Sequence, residues 1–113
     1  MHTYYKLEGK KVVPCKMEEC FTPDETRRVA MTHIGKVDIS TVFLGINHAF
    51  DDRVPMLFET MIFWFGGKHD EYCERYSTWQ DAEEGHKRAV EMVREAKGES
   101  KLRKYLQAII KRI

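Results

Sequence analysis

The chain has 113 residues, 42% hydrophobic and 33% charged, which fits one globular domain around a single core. Nineteen Lys and Arg against eighteen Asp and Glu leave a net charge of +1, so a wholly basic nucleic-acid binder is excluded as a class. No apolar run reaches the roughly 20 residues of a bilayer span, no signal-peptide core opens the chain, and three cysteines make an odd number for a disulfide framework. A cytoplasmic protein with no membrane partner is the expectation.

Charge is unevenly placed. Residues 1 to 85 carry ten Lys or Arg and fifteen Asp or Glu, net −5, whereas from His86 onward there are nine against three, net +6. An acidic body with a basic tail points to a polar interaction surface. No nucleic-acid-binding motif accompanies it.

In chain order, Thr3 to Leu7 and Lys11 to Val13 read as a hairpin turning at Glu8-Gly9 and ended by Pro14. Cys15 to Phe21 can form a turn or two of helix. Thr22-Pro-Asp-Glu25 carries a capping-box pattern with Pro at the first helical position, and the alternation from Arg27 to Ile34 then reads as a strand. Gly35 marks the turn into Val37 to Gly45, a β-branched and aromatic run. A loop from Ile46 to Pro55 leads to a second such run, Met56 to Trp64. Both runs are apolar on both pleat faces, as in central strands covered on at least one side.

Beyond Gly66-Gly67, Tyr72 to Tyr76 reads as a strand. Ser77 and Thr78 offer caps for a helix from Trp79 to about Ala96, whose stripe holds Ala82, His86, Ala89, Val90 and Val93. Gly98 can end it with a left-handed cap. A last helix from about Ser100 shows Leu102, Tyr105, Leu106, Ile109, Ile110 and Ile113 on one side and Lys101, Lys104 and Lys111 on the other. This stripe can pack on the chain's own sheet or in a homodimer. The expectation is one α+β domain over residues 1–113: hairpin and short helix at 1–27, central antiparallel sheet at 28–77, two helices at 78–113. The sheet has five to six strands and both helices pack on one face.

Within the dry central stretch, His48, Glu59 and Thr60 are the polar groups hardest to explain as filler. A carboxylate mid-strand costs several kcal/mol unless paired or wet, and Arg75 on the next strand is a plausible partner for Glu59. Two readings stand: a structural pair, or a Glu59 exposed in a binding concavity. His86 follows Gly85 on the apolar stripe, where a glycine is justified by close approach to the sheet. It is a satisfied core histidine, or it joins His48 and Glu59 in a cluster able to bind a metal or position a water.

Cys15 and Cys20 form C-x4-C, loosely compatible with zinc if Cys73 or a histidine at 33, 48, 69 or 86 completes the set. The commoner role of such cysteines is as small buried hydrophobes. Phe63-Trp64-Phe65 cannot all hide on one strand face, so at least one packs on the C-terminal helices or on a partner. No phosphate loop, nucleophile elbow or metalloprotease motif is present.

Ser40-Thr-Val-Phe-Leu-Gly45, His48, Pro55 to Phe63 with its Leu-Phe-Glu-Thr-Met core, Arg75-Tyr76 and Gly85-His86 together resemble a family of small uncharacterised proteins encoded by bacteriophages and prophages. The likeness spans roughly Arg28 to Val93. The pair Cys15 and Cys20 and the basic helix after Gly98 fall outside its pattern. The resemblance implies a mobile-element context and no particular reaction.

By analogy with other small phage accessory proteins, the first expectation is a non-enzymatic protein that binds a host protein stoichiometrically, such as an anti-CRISPR inhibitor of a CRISPR effector. Its binding residues would be drawn from His48, Asp51, Asp52, Glu59, Trp64, Arg75, Tyr76 and His86. Acidic groups such as Asp51, Asp52, Asp70 and Glu71 would imitate nucleic-acid phosphates, nucleic acid itself not being the direct ligand. The alternatives are a small-ligand or zinc domain using His48, Glu59 and His86, and, third, a metal-assisted hydrolase at that cluster.

Overall fold

Alternation of large apolar and small polar residues makes the centre of this molecule a sheet with one greasy side. In the computed structural model, which describes residues 2–48 and 54–112, the elements are β1 (Tyr5–Glu8), β2 (Lys11–Pro14), α1 (Met17–Cys20), α2 (Asp24–Arg27), β3 (Arg28–Ile34), β4 (Val37–Phe43), β5 (Phe58–Phe63), β6 (Cys73–Tyr76) and α3 (Trp79–Arg112). Strands β3-β4-β5-β6 form one antiparallel sheet in sequence order. Val37, Ile39, Thr41 and Phe43 of β4 are buried, as are Phe58, Thr60 and Ile62 of β5, while the intervening residues face the other way. The first half of α3 covers the buried side.

Among the described residues there are six strands, in two sheets rather than one: there β1 and β2 pair as strands with each other alone. Among the same residues the hairpin's backbone meets the segment after β4 at one isolated bridge, Tyr4 to Ile46, flanked by Tyr5 N–H to the Gly45 carbonyl at 2.8 Å and Asn47 N–H to the Thr3 carbonyl at 3.0 Å, while Tyr5, Leu7 and Val12 pack into the core. The ladder stops there because β4 has ended and Gly45, at φ +80°, turns the chain away. The turn at Gly35 has φ +60°, as its place between two strands requires.

Helix starts follow the sequence unevenly. Thr78 caps α3, its Oγ1 accepting the Asp81 N–H at 3.1 Å. Thr22 does not cap α2: Pro23 occupies the cap position without a side-chain bond, and the Thr26 hydroxyl donates to the Pro23 carbonyl at 2.8 Å.

The two expected C-terminal helices are one. α3 runs 34 residues through Gly98, and Gly98 is absent from the glycines with positive φ. A mid-helix glycine costs about 1 kcal/mol relative to alanine. No left-handed residue and no following proline marks an end there, and Glu99, Lys101, Leu102, Arg103 and Lys104 favour helix. Only the part up to Ala96 packs on the sheet; every described residue from Gly98 onward is exposed. The helix thus leaves the body as an arm, and the molecule measures 67 × 28 × 21 Å. Among the described residues no helix is long and apolar enough to cross a membrane.

Candidate functional site

The covered side of the sheet is not uniformly apolar. One cluster gathers Tyr5, Phe43, Leu57, Phe58, Tyr76 and Ala82, and a second gathers Val37, Ile39, Ile62, Ala89, Val90 and Val93. Between them runs a polar row set by register: Thr41 pairs with Thr60, and Thr60 with Glu74. His86 enters this row from α3. Its Nδ1 lies 2.7 Å from the Thr41 hydroxyl and its Nε2 2.8 Å from the Thr32 hydroxyl. Thr41 and Thr60 share a hydrogen bond of 2.5 Å, and the Thr60 hydroxyl acts in turn on the Tyr76 phenol. Tyr76 donates to Glu74 Oε2 at 3.2 Å, Tyr72 donates to the same oxygen at 2.6 Å, and Arg88 Nη2 donates to Oε1 at 3.2 Å. The chain of contacts takes members from β3, β4, β5, β6 and α3.

A carboxylate only accepts, so Tyr76 and Tyr72 both donate to Glu74. One assignment of the remaining protons satisfies every contact of the row: Thr41 donates to Thr60, His86 Nδ1–H donates to Thr41, and Nε2 accepts from Thr32. In it the imidazole is neutral and both nitrogens are engaged.

Burial pushes the His86 pKa down. At Glu74 burial works to raise the carboxyl, but donation from Tyr72, the Arg88 charge and donation from Tyr76 outweigh it and hold the group below its usual value. Burial, and then the bond to Glu74, push Tyr72 well up.

Linkage gives a pH prediction. A histidine with a folded pKa below its unfolded one binds fewer protons when folded, so its contribution is complete above about pH 6.5. It is lost progressively as pH falls from there towards the folded value, with a slope of at most about 1.4 kcal/mol per pH unit. Glu74 adds a second loss, lower in the acid range. Urea midpoints between pH 7.5 and 5 are expected to fall, and nitrogen NMR of His86 should show the Nδ1–H tautomer down to below pH 6.5. A flat stability profile that stays flat in His86→Gln contradicts this account.

The structure separates several residues that the sequence grouped. Glu59 lies on the open side of the sheet, bonded to Arg75 Nε at 2.9 Å, while His86 is on the covered side. They do not form one cluster, because residues 59 and 60 point to opposite faces of β5. Glu59 and Arg75 are paired, as the first of the two readings had it. His48 is exposed on the segment after β4, its N–H bonded to the Met56 carbonyl at 3.1 Å. Tyr76 is buried. Asp51 and Asp52 lie outside the described residues.

Cys20 is buried with its thiol donating to the Met17 carbonyl at 3.0 Å, and Cys15 is half-buried. Among the described residues no three His, Cys, Asp or Glu side chains gather as metal ligands would. The set Cys15, Cys20, His48 and His86 is thus not assembled among them. Of the aromatic run, Trp64 packs on the second cluster beneath α3 and lies under Lys97 Nζ at 5.7 Å, whereas Phe63 is half exposed and Phe65 fully so.

What the sequence did not single out is Thr32, Thr41, Glu74, Tyr72 and Arg88. The available signal was parity: Thr32, Thr41 and Thr60 all fall on the pleat side that holds Ile39, Phe43, Phe58 and Ile62. The opposite side presents three rows across the strands: Arg28, Val42, Glu59, Arg75; Met31, Ser40, Met61, Cys73; and His33, Asp38, Phe63. His33 and Asp38 are bonded at 2.6 Å.

No protein-family model, curated protein or solved structure matches this chain.

Proposed function

We propose that the protein works by stoichiometric binding of a macromolecular partner through the open side of its β3–β6 sheet. In the phage setting that the sequence pattern resembles, that partner is a host defence protein such as a CRISPR effector. One observation carries the reading: this side has no helix on it among the described residues, yet it presents Met31, Val42, Met61 and Phe63, with Ser40 and Cys73 in the middle row. Polar pairs, Glu59 with Arg75 and His33 with Asp38, lie at the ends of the outer rows. An apolar centre rimmed by polar groups is the anatomy of a contact surface, and methionines adapt their shape to a partner. Phe65 and the acidic pair Asp70 and Glu71, all exposed, follow in the loop after β5.

The buried row supports the same reading from the other direction. His86 is the one imidazole in the domain core, and it is committed to threonine hydroxyls on both nitrogens. Pull-down of host lysate with the tagged chain tests the proposal. A host protein should be retained by the parent and lost with Phe63→Glu, and phage carrying the parent gene should be protected from the defence system. Absence of both a retained host protein and protection defeats it.

A further inference from the structure

We infer that the exposed arm of α3, residues 99–112, is an interfacial helix that lies on anionic lipid bilayers. Nine residues, two and a half turns, separate the buried Val93 from Leu102. The apolar side of the helix therefore swings to the opposite face as it leaves the sheet. Leu102, Tyr105, Leu106, Ile109 and Ile110, all 38–68% exposed, then project away from the body on an arc of about 140° at 100° per residue. An arm built to close on its own sheet would keep the stripe on the side of Val93. This one presents it where a flat surface can approach without meeting the body.

Charge selects the surface. The remainder of the arm's circumference carries Lys101, Arg103, Lys104, Lys111 and Arg112 and no acid. Arg103 and Lys101 with Arg112 sit at the two borders of the apolar arc, where long side chains reach headgroups while their stems stay with the acyl region. Tyr105 lies at one border too, the usual depth for an amphipathic ring. The arm's sole acid, Glu99 at its root, is paired with Lys68 at 3.2 Å. The net charge of +4 opposes self-pairing of two arms, and a nucleic-acid backbone has no use for the five large apolar side chains. Anionic headgroups over an apolar interior satisfy both sides of the helix. The arm lies on the bilayer plane and does not cross it.

The test uses the full chain with vesicles of phosphatidylcholine alone and of phosphatidylcholine with 30% phosphatidylglycerol, read by flotation. Binding should be at least tenfold stronger on the anionic vesicles and should weaken in 0.5 M salt. Leu106→Glu with Ile109→Glu should abolish it, and so should Lys104→Glu with Lys111→Glu. All four positions are exposed, and an unchanged thermal melt confirms that the body is intact. The inference is overturned by equal binding to both vesicles, by no binding to either, or by binding that survives the Leu106→Glu, Ile109→Glu variant. It is equally overturned if light scattering shows a stable dimer that this double variant dissolves, or if the arm retains duplex DNA in preference to vesicles. None of these outcomes bears on the partner of the open sheet face, which is read by Phe63→Glu.

Discussion

Gly85→Ala is expected to be the most damaging small substitution in this protein, lowering stability by about 3 kcal/mol. A Cβ at position 85 would fall inside the Tyr76 ring and hydroxyl. Both residues are buried, and Tyr76 is held where it is by its bond to Glu74. The ring has nowhere to retreat, since Phe58 and Ala82 share its cluster. Chemical denaturation of Gly85→Ala, Tyr76→Ala and the double variant checks the cause. The two changes should be strongly non-additive, because removing the ring makes room for the methyl group. Additive losses would show that the glycine acts through helix propensity, which is worth only about 1 kcal/mol.

Thr41→Val, nearly the same size, should cost about 2 kcal/mol. It leaves His86 Nδ1–H without an acceptor and Thr60 without its donor in a place that water does not reach. Phe43→Leu, two residues away on the same side, keeps every polar bond and is the control for packing. If the loss is due to orphaned polar groups, it should shrink in the background His86→Leu, where no imidazole remains to be satisfied. A loss of equal size in both backgrounds would assign the effect to local packing. Denaturant midpoints for the four chains of this cycle decide between them.

The architecture was readable to the extent that local pattern determines it. Alternation placed β3, the β-branched and aromatic runs placed β4 and β5, the Ser-Thr pair located the start of α3, and Gly85 was tied to a close approach that Tyr76 makes. The misreadings share a cause. Gly98 is as good a helix end as any by composition, and only the absence of a left-handed conformation and of a proline shows that the helix runs on. Two sheets in place of one depend on where the chain turns at Gly45, a matter of one dihedral angle.

For the site, spacing identified His86 and Glu59 as exceptional but could not assign them to sides of the sheet until register was known. A single residue of parity, 59 against 60, separates them. Thr60 stood out in its apolar run, but Thr32 and Thr41 did not, and the meaning of all three comes from lying beside one another in three different strands.

The polar row has an effect on which alignment of strands can exist at all. Slide β5 by two positions along β4 and the alternation of inward and outward side chains is preserved. A purely aliphatic interior would accept that misfit with little penalty. Here Thr41 would instead meet Phe58 or Ile62, and the histidine above would lose its neighbour's partner. Mispaired forms are thus raised in energy by a handful of hydroxyl groups, and the correct pairing is chosen by polarity where greasiness alone would leave a tie.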